Sequence, residues 1–111
     1  MTMAEESGRI LIIDDDQSIR WALTRLAESM GLAAESAADA DAGLAALAGG
    51  GFDAVVLDIQ LPGLNGLEAL PQARSRWPDV PVIVITAYGT METAVEAAQR
   101  GAFDYLLQPV D

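Results

Sequence analysis

The sequence predicts an α/β fold built on a doubly wound, five-stranded parallel sheet. Short apolar runs of strand length alternate along the chain with longer segments whose apolar residues recur at helical spacing. Glycine and proline mostly fall between these segments, as expected where turns separate strands from helices. Strands that alternate with helices form parallel sheets, and 111 residues are enough for one such domain.

Two strand–helix units are predicted in the first half of the chain. Arg9–Asp14 is a short apolar run typical of a buried parallel strand, and Ser18–Met30 carries apolar residues at helical spacing before Gly31. Leu32–Ala37 predicts a weaker second strand. The alanine-rich segment Asp39–Ala48 predicts a second helix, which three consecutive glycines end.

Three further strands are predicted in the second half, at Ala54–Leu57, Val80–Thr86 and Phe103–Leu106. With right-handed helical crossovers, the five strands favour the flavodoxin-like order 2-1-3-4-5. A closing helix should pack beside the outer strand, but the chain ends at Asp111, so we expect that helix to be absent. The apolar sheet face near the fifth strand is then expected to be exposed, or covered by another copy of the chain.

Capping residues mark the later helices. Asn65 and Glu68 resemble a capping box that begins a helix running to about residue 77. Pro71 falls inside this helix, and its missing N–H predicts a kink or a short first turn. Thr90 is predicted to cap a further helix, which Gly101 ends.

The composition excludes several classes of function. The formal net charge is −11, and all six basic residues are arginines. This balance disfavours direct binding to nucleic acid or to an anionic membrane, and it favours a cation or a partner with a basic face. The absence of Cys and His excludes disulfides, thiol catalysis and the common nitrogen and sulfur metal ligands. Any bound metal must therefore be a hard cation held by oxygen atoms.

Targeting signals are not evident in the sequence. No apolar run is long enough to span a bilayer. Residues 1–8 contain two glutamates and no apolar run, so they are not a signal peptide and are predicted to form a flexible tail. We expect residues 9–111 to form the domain and the protein to be cytoplasmic.

Acidic residues follow two strands that are neighbours in the predicted sheet. The first strand ends in Asp14, Asp15 and Asp16, and the third ends in Asp58. Ligands of open parallel sheets bind beyond the carboxyl ends of the strands, so we expect Asp14, Asp15 and Asp58 to converge there. Like charges this close are tolerated when a cation joins them, which predicts a Mg²⁺ or Mn²⁺ site. The alternative is a solvated turn, and for Asp16 a helix-capping role is the better interpretation.

An ordered set of motifs lies at these strand ends: Asp14-Asp15, Asp58, Leu61–Gly66, Thr86-Ala87 and Gln108-Pro109. Together they resemble the response-regulator receiver family, the CheY-like superfamily, over residues 9–111. Within that family, residues 14–21 and 101–106 are most similar to the NtrC-type, sigma-54-dependent transcriptional regulators.

The resemblance implies that Asp58 is the acceptor of a phosphoryl group from a sensor histidine kinase. It implies that Asp15 and Asp58, with the backbone carbonyl of Gln60, ligate the metal and that Asp14 acts through water. The side chains of Gln60 and Tyr88 would influence how fast the phosphoryl group is hydrolysed. Such a domain catalyses only its own phosphorylation and dephosphorylation, so it is not expected to be an enzyme.

The resemblance also assigns residues to a switch and reveals a departure. Thr86 would hydrogen-bond the phosphoryl oxygen and Tyr105 would change rotamer with it; the alternatives are a plain strand-end hydroxyl and a core-edge aromatic. Gln108 stands where the family has Lys. Because a neutral donor replaces a charged one, the phosphorylated state is expected to lose on the order of 1 kcal/mol, with weaker coupling to the switch and greater dependence on metal. Pro109 is expected to follow a cis peptide bond.

Other functions remain open at this point. A phosphatase with an Asp nucleophile usually has a second carboxylate two residues on, where this chain has Gln60. A flavodoxin-type FMN carrier needs a phosphate-binding loop after the first strand, whereas Asp14–Asp16 repels phosphate. A pseudo-receiver that signals by protein contact alone would fit Gln108. NtrC-type kinship implies downstream ATPase and DNA-binding domains; a single-domain phosphate carrier is the alternative, and a homodimer is a further candidate partner.

Overall fold

One parallel sheet organises the described part of the chain. In the computed structural model, residues 8–61, 65–86 and 90–107 are described. The sheet has five parallel strands in the order β2-β1-β3-β4-β5, which confirms the predicted fold class and strand order. The elements in chain order are β1 (Arg9–Ile13), α1 (Gln17–Ser29), β2 (Ala33–Ala37), α2 (Ala40–Ala48), β3 (Ala54–Asp58), α3 (Gly66–Arg76), β4 (Val82–Thr86), α4 (Met91–Gln99) and β5 (Asp104–Leu107).

Helices cover both faces of the sheet, but unequally. Alternate strand residues join side chains of α2, α3 and α4 in one large buried cluster, because successive strand side chains point to opposite faces. Its members include Leu11, Ile13, Val55, Leu57, Val82 and Val84 from the strands and Leu47, Leu70, Ala73 and Ala97 from the helices. Ile12 of β1 and Ala27 of α1 are buried outside this cluster, which places them on the opposite face, between the sheet and α1.

The face on the α1 side remains partly open toward β5. Val56, Ile83 and Ile85 are only half-buried, and Leu106, which pairs with Ile85, is 48% exposed. This confirms the expected exposure of apolar surface near β5. Four helices lie within the described ranges, and no fifth helix is among them to cover this face.

Side-chain caps fix where the four described helices begin, and Asp39 caps α2 by accepting the N–H of Ala42 at 2.7 Å. Asp16 accepts two backbone N–H groups from the first turn of α1, which confirms its interpretation as a helix cap. Asn65 and Glu68 form the predicted capping box of α3. Thr90 caps α4 as predicted, and Thr93 completes a second capping box there.

Pro71 has no N–H, and this leaves a carbonyl of α3 to be bonded by a side chain at the end of α4. Helix α3 runs unbroken through Pro71, so the predicted alternative of a short first turn is wrong. A residue-71 N–H would normally bond the carbonyl of Leu67, and proline has no N–H to offer. The side chain of Arg100, at the end of α4, donates to that carbonyl instead at 2.8 Å.

Two further expectations concern the ends and the surface of the fold. Residues 1–7 of the predicted tail lie outside the described residues. Gly8 is described, and its carbonyl accepts the N–H of Ala33 at 3.0 Å, beside the start of β2.

Within the described ranges, none of the helices has the length and apolar character needed to cross a membrane.

Removing the Arg100 side chain should reduce stability in a way that depends on residue 71. We expect Arg100→Met to lower the free energy of unfolding by about 1 kcal/mol, because the Leu67 carbonyl loses its donor. In a Pro71→Ala background the new N–H can bond that carbonyl. Arg100→Met should then lower the free energy of unfolding by clearly less. Urea unfolding measures both costs. Arg76→Met is the control: it removes an exposed arginine that stacks on Trp77, and its cost should be the same in both backgrounds. Equal costs of Arg100→Met in both backgrounds would contradict the claim that Arg100 replaces the N–H missing at Pro71.

Candidate functional site

Three carboxylates meet at the carboxyl ends of β1 and β3. Asp14 and Asp15 follow β1, and Asp58 is the last residue of β3. One carboxylate oxygen from each residue lies within 4.8 Å of the other two. Asp14 and Asp58 are 1% and 8% exposed, whereas Asp15 is open to solvent. The structure thus brings together the three carboxylates that the sequence predicts, with one side accessible.

Hydrogen bonds hold the loop that carries Asp14. The Asp14 N–H donates to the Ala37 carbonyl at 3.1 Å, and the Asp16 N–H donates to Oδ1 of Asp14 at 2.9 Å. The carbonyl of Asp14 accepts from Nη1 of Arg20 at 2.8 Å. Residue 14 is therefore bonded at its amide, its carboxylate and its carbonyl, which orients it at the sheet edge.

The end of β3 is fixed by the chain that follows it. The Gln60 N–H donates to Oδ1 of Asp58 at 2.9 Å. The N–H of Gly66, the first residue of α3, donates to the Ile59 carbonyl at 3.1 Å. A β-carbon at Gly66 would collide with the backbone of Asp58 and Ile59, so only glycine lets α3 start this close to the acidic residue.

The surroundings of Asp58 raise its pKa to about 6. Burial is the largest cause, because removal from water disfavours the charged carboxylate. The hydrogen bond from the Gln60 N–H opposes this, while the negative charges of Asp14 and Asp15 raise the pKa further. Ionised Asp58 therefore stands in an unfavourable field, which a cation between the three carboxylates would relieve.

The donor set of the cluster fits a hard divalent cation. Carboxylate oxygens are the ligands that Mg²⁺ prefers, and that ion keeps several of its waters, for which the exposed Asp15 side leaves room. Asp14, Asp15 and Asp58 are the described residues that could hold the ion. The additional ligand expected from the Gln60 carbonyl stays a prediction; the N–H of Gln60 bonds Asp58.

The two predicted switch residues lie on β4 and β5. Thr86 ends β4 and is fully buried, one residue beyond the β4 partner of Asp58. Tyr105 pairs with Val84, two residues before Thr86, so Tyr105 and Thr86 share one face of the sheet. The hydroxyl of Tyr105 lies 2.7 Å from Oγ1 of Thr93 on α4. The placement suits the predicted switch, and the roles themselves stay predictions.

Seven residues of the resemblance lie outside the described residues: Pro62, Gly63, Leu64, Ala87, Tyr88, Gln108 and Pro109. The influence of Tyr88 on hydrolysis, the effect of Gln108 and the cis bond before Pro109 therefore stay predictions.

Sequence reasoning missed two residues that support the site. Arg20 stands in the first turn of α1, and the available signal was an arginine six residues after the first Asp of the acidic run. Thr93 lies three residues after the cap Thr90, the spacing of a capping box, but the usual residue there is Glu or Gln. The Thr93 hydroxyl lies within hydrogen-bonding distance of the Thr90 carbonyl, at 2.9 Å, and of the Tyr105 hydroxyl, at 2.7 Å, so it joins the start of α4 to β5.

Known proteins place this architecture in a family. The family described as "Response regulator receiver domain" matches residues 10–111. The chain is a response regulator receiver domain. The "DNA-binding transcriptional regulator NtrC" of Salmonella typhimurium is similar to it, with 42% identity over 106 residues. These residues are 96% of this receiver domain and 23% of that regulator, so the chain spans about a quarter of the length of the NtrC regulators it matches.

Solved structures agree with this assignment. A CheY-like response regulator receiver domain protein from Methanospirillum hungatei superposes with a TM-score of 0.89 at 35% identity, covering 95% of this receiver domain and 84% of that chain. NtrX from Brucella abortus superposes with a TM-score of 0.87 at 36% identity, covering 95% of this chain and 24% of that one. The fold and the family are therefore those that the sequence predicts.

Asp58→Asn should stabilise the metal-free receiver domain at neutral pH but not in acid. The folded-state pKa of about 6 lies above the ordinary value of 3.8, so the folded state binds the proton more tightly. The stability this gives is fully present below about pH 4 and is lost as the pH rises through about 6. We expect the difference in the free energy of unfolding between the Asn variant and the wild type to grow by on the order of 2 kcal/mol from pH 4 to pH 7.5.

Urea unfolding in EDTA at several pH values measures this gap. Asp79→Asn, which changes an exposed carboxylate away from the cluster, is the matched control and should show no such growth. A gap for Asp58→Asn that stays constant with pH would contradict the raised pKa.

Proposed function

We propose that this receiver domain accepts a phosphoryl group on Asp58 from a sensor histidine kinase, with Mg²⁺ or Mn²⁺ bound at the acidic cluster. The observation that supports it most is the convergence of Asp14, Asp15 and Asp58 at the carboxyl edge of the sheet, where burial and the two neighbouring carboxylates raise the pKa of Asp58. In this proposal the domain is a switch that modifies itself, not an enzyme with an outside substrate.

In the proposed reaction, the carboxylate of Asp58 attacks phosphorus in line with the bond that breaks. A carboxylate oxygen forms a bond to phosphorus while the P–N bond to the donor histidine, or the P–O bond of a small acyl phosphate, breaks and its electron pair leaves with the donor. Above pH 6 the carboxylate is mostly ionised, so no base is needed to remove a proton. The hydrogen bond from the Gln60 N–H keeps the carboxylate in one orientation for the attack.

A bound divalent cation supplies the positive charge that offsets repulsion between these carboxylates and the oxygens of the incoming phosphoryl group. Asp15 and Asp58 would hold it with the carbonyl of Gln60, and Asp14 would act through water. The protein contributes rigidity: the cap at Asp16 and the close approach of α3 fix the two strand ends before any ligand arrives.

The readout we propose passes from Thr86 to α4. Thr86 would hydrogen-bond the phosphoryl group at the end of β4, and Tyr105 would move in step with it. The Tyr105 hydroxyl is hydrogen-bonded to the Thr93 hydroxyl in the first turn of α4 at 2.7 Å. A movement of Tyr105 toward Thr86 would therefore remove a partner from the capping box of α4 and loosen the start of that helix.

The output we propose is control of transcription in the cytoplasm. Relatives at 42% identity are named DNA-binding transcriptional regulators and are about four times longer than this chain. An ATPase domain and a DNA-binding domain following the receiver would supply that output. The receiver itself is not proposed to touch nucleic acid, since its net charge is −11.

A second candidate function follows from one residue. Gln108 replaces the Lys of the family, and the chain has no Lys elsewhere to take its place. A neutral amide stabilises an added phosphoryl group less than an ammonium does. The alternative is therefore a pseudo-receiver or single-domain interaction module, in which protein contacts persist and the phosphorylation switch is weak.

Acetyl phosphate with Mg²⁺ should add one phosphoryl group, about 80 Da, to the chain. Intact-mass spectrometry measures the adduct, and omission of Mg²⁺ or addition of EDTA should abolish it. Asp58→Asn should also abolish it, because the nucleophile is lost. Asp53→Asn is the matched control, since Asp53 is an exposed residue before β3 and should leave labelling unchanged. An adduct that survives Asp58→Asn would contradict the proposal.

The same assay on Gln108→Lys separates the two candidate functions. If the phospho-switch is active but weakened, the Lys variant should label to a similar extent and show a larger structural response, followed by amide exchange in α4. A wild-type chain that neither labels nor responds, beside a Lys variant that does both, would favour the pseudo-receiver.

A further inference from the structure

We propose that Arg20 is a positioning residue for the metal site, because it sets the orientation of the Asp14–Asp15 peptide. The inference rests on the proposed function, since it concerns the same acidic cluster. Arg20 lies in the first turn of α1, and its Nη1 donates to the Asp14 carbonyl at 2.8 Å. The bond links a helix side chain to the backbone between two acidic residues.

The bonded carbonyl belongs to the peptide that joins Asp14 to Asp15. A peptide unit is planar, so the direction of the Asp14 carbonyl also fixes the nitrogen and Cα of Asp15. Rotation of this peptide would break a charged hydrogen bond, which is stronger than a neutral one. Arg20 therefore sets the backbone position from which the exposed Asp15 side chain reaches the cluster that it forms with Asp14 and Asp58.

Helix α1 gives Arg20 a fixed base. The Arg20 N–H donates to the carbonyl of Asp16 at 3.0 Å, and the Asp16 side chain caps the same turn. The other arginine on this helix differs: the guanidinium of Arg25 stacks over Trp21 at 5.3 Å and is exposed to solvent. Arg25 thus offers the same charge on the same helix without the bond to the acidic loop.

The charge of Arg20 opposes its geometric role. A guanidinium near the cluster repels a divalent cation, so its removal should tighten cation binding if charge alone mattered. If Arg20 positions the loop, its removal should weaken binding, because the freed peptide must be ordered again when the cation binds. The sign of the change therefore separates the two effects.

The experiment is a Mg²⁺ titration by isothermal calorimetry, without any phosphodonor. We expect Arg20→Met to raise the Mg²⁺ dissociation constant about three- to tenfold. Arg20→Lys retains the charge and a donor and should recover part of the loss. Arg25→Met should stay near the wild-type value. Thermal unfolding without metal establishes that each variant is folded; if Arg20→Met is not, Arg20→Gln takes its place and should weaken binding as well.

The outcomes are distinct. Weaker binding in Arg20→Met, with partial recovery in Arg20→Lys, supports the positioning role. Unchanged or tighter binding, or a loss that Arg25→Met matches, overturns it while leaving the proposed function intact. A wild-type chain that binds no Mg²⁺ overturns the proposed function, and this inference with it.

Discussion

The placement of three carboxylates, two of them buried, at one edge of the sheet is the constraint on which the rest of this receiver domain depends. Asp14, Asp15 and Asp58 place their oxygens within 4.8 Å of one another, and two of the three are buried. Burial of Asp58 is the main reason that its pKa is raised, and the charges of Asp14 and Asp15 raise it further, so the ionised cluster opposes folding. The site is therefore suited to a small divalent cation, because a cation would offset the unfavourable energy of holding these carboxylates ionised and close together.

The surrounding structure holds these groups together against that repulsion. Alternating strand residues build a continuous core with α2, α3 and α4, so the ends of β1 and β3 have little freedom. Local devices then fix each strand end: the Arg20 bond to the loop after β1, and the approach of Gly66 to the backbone after β3. The preorganised site leaves Asp15, the exposed member, as the open side through which a ligand can enter.

Much of this could be predicted because the signals are local or follow from parallel topology. Strand order, the caps at Asp16 and Asn65, and the convergence of the carboxylates all come from short patterns combined with the rule that strand ends share an edge. The bond from Arg100 to Leu67 and the contact of Tyr105 with Thr93 could not, since each joins residues far apart in sequence. Strand limits also differed by one or two residues: β4 begins two residues later than predicted and β5 is shifted by one, because apolar character does not mark where the hydrogen-bonded ladder begins and ends.

Proton release on Mg²⁺ binding tests the central claim most directly. Calorimetry in buffers of different ionisation enthalpy should find one Mg²⁺ per chain, with about half a proton released near pH 6 and close to none at pH 8, since Asp58 titrates near 6. Replacement of Asp58 by Asn should remove that release. Saturable binding with no proton released near pH 6, or no saturable binding at all, would contradict the account.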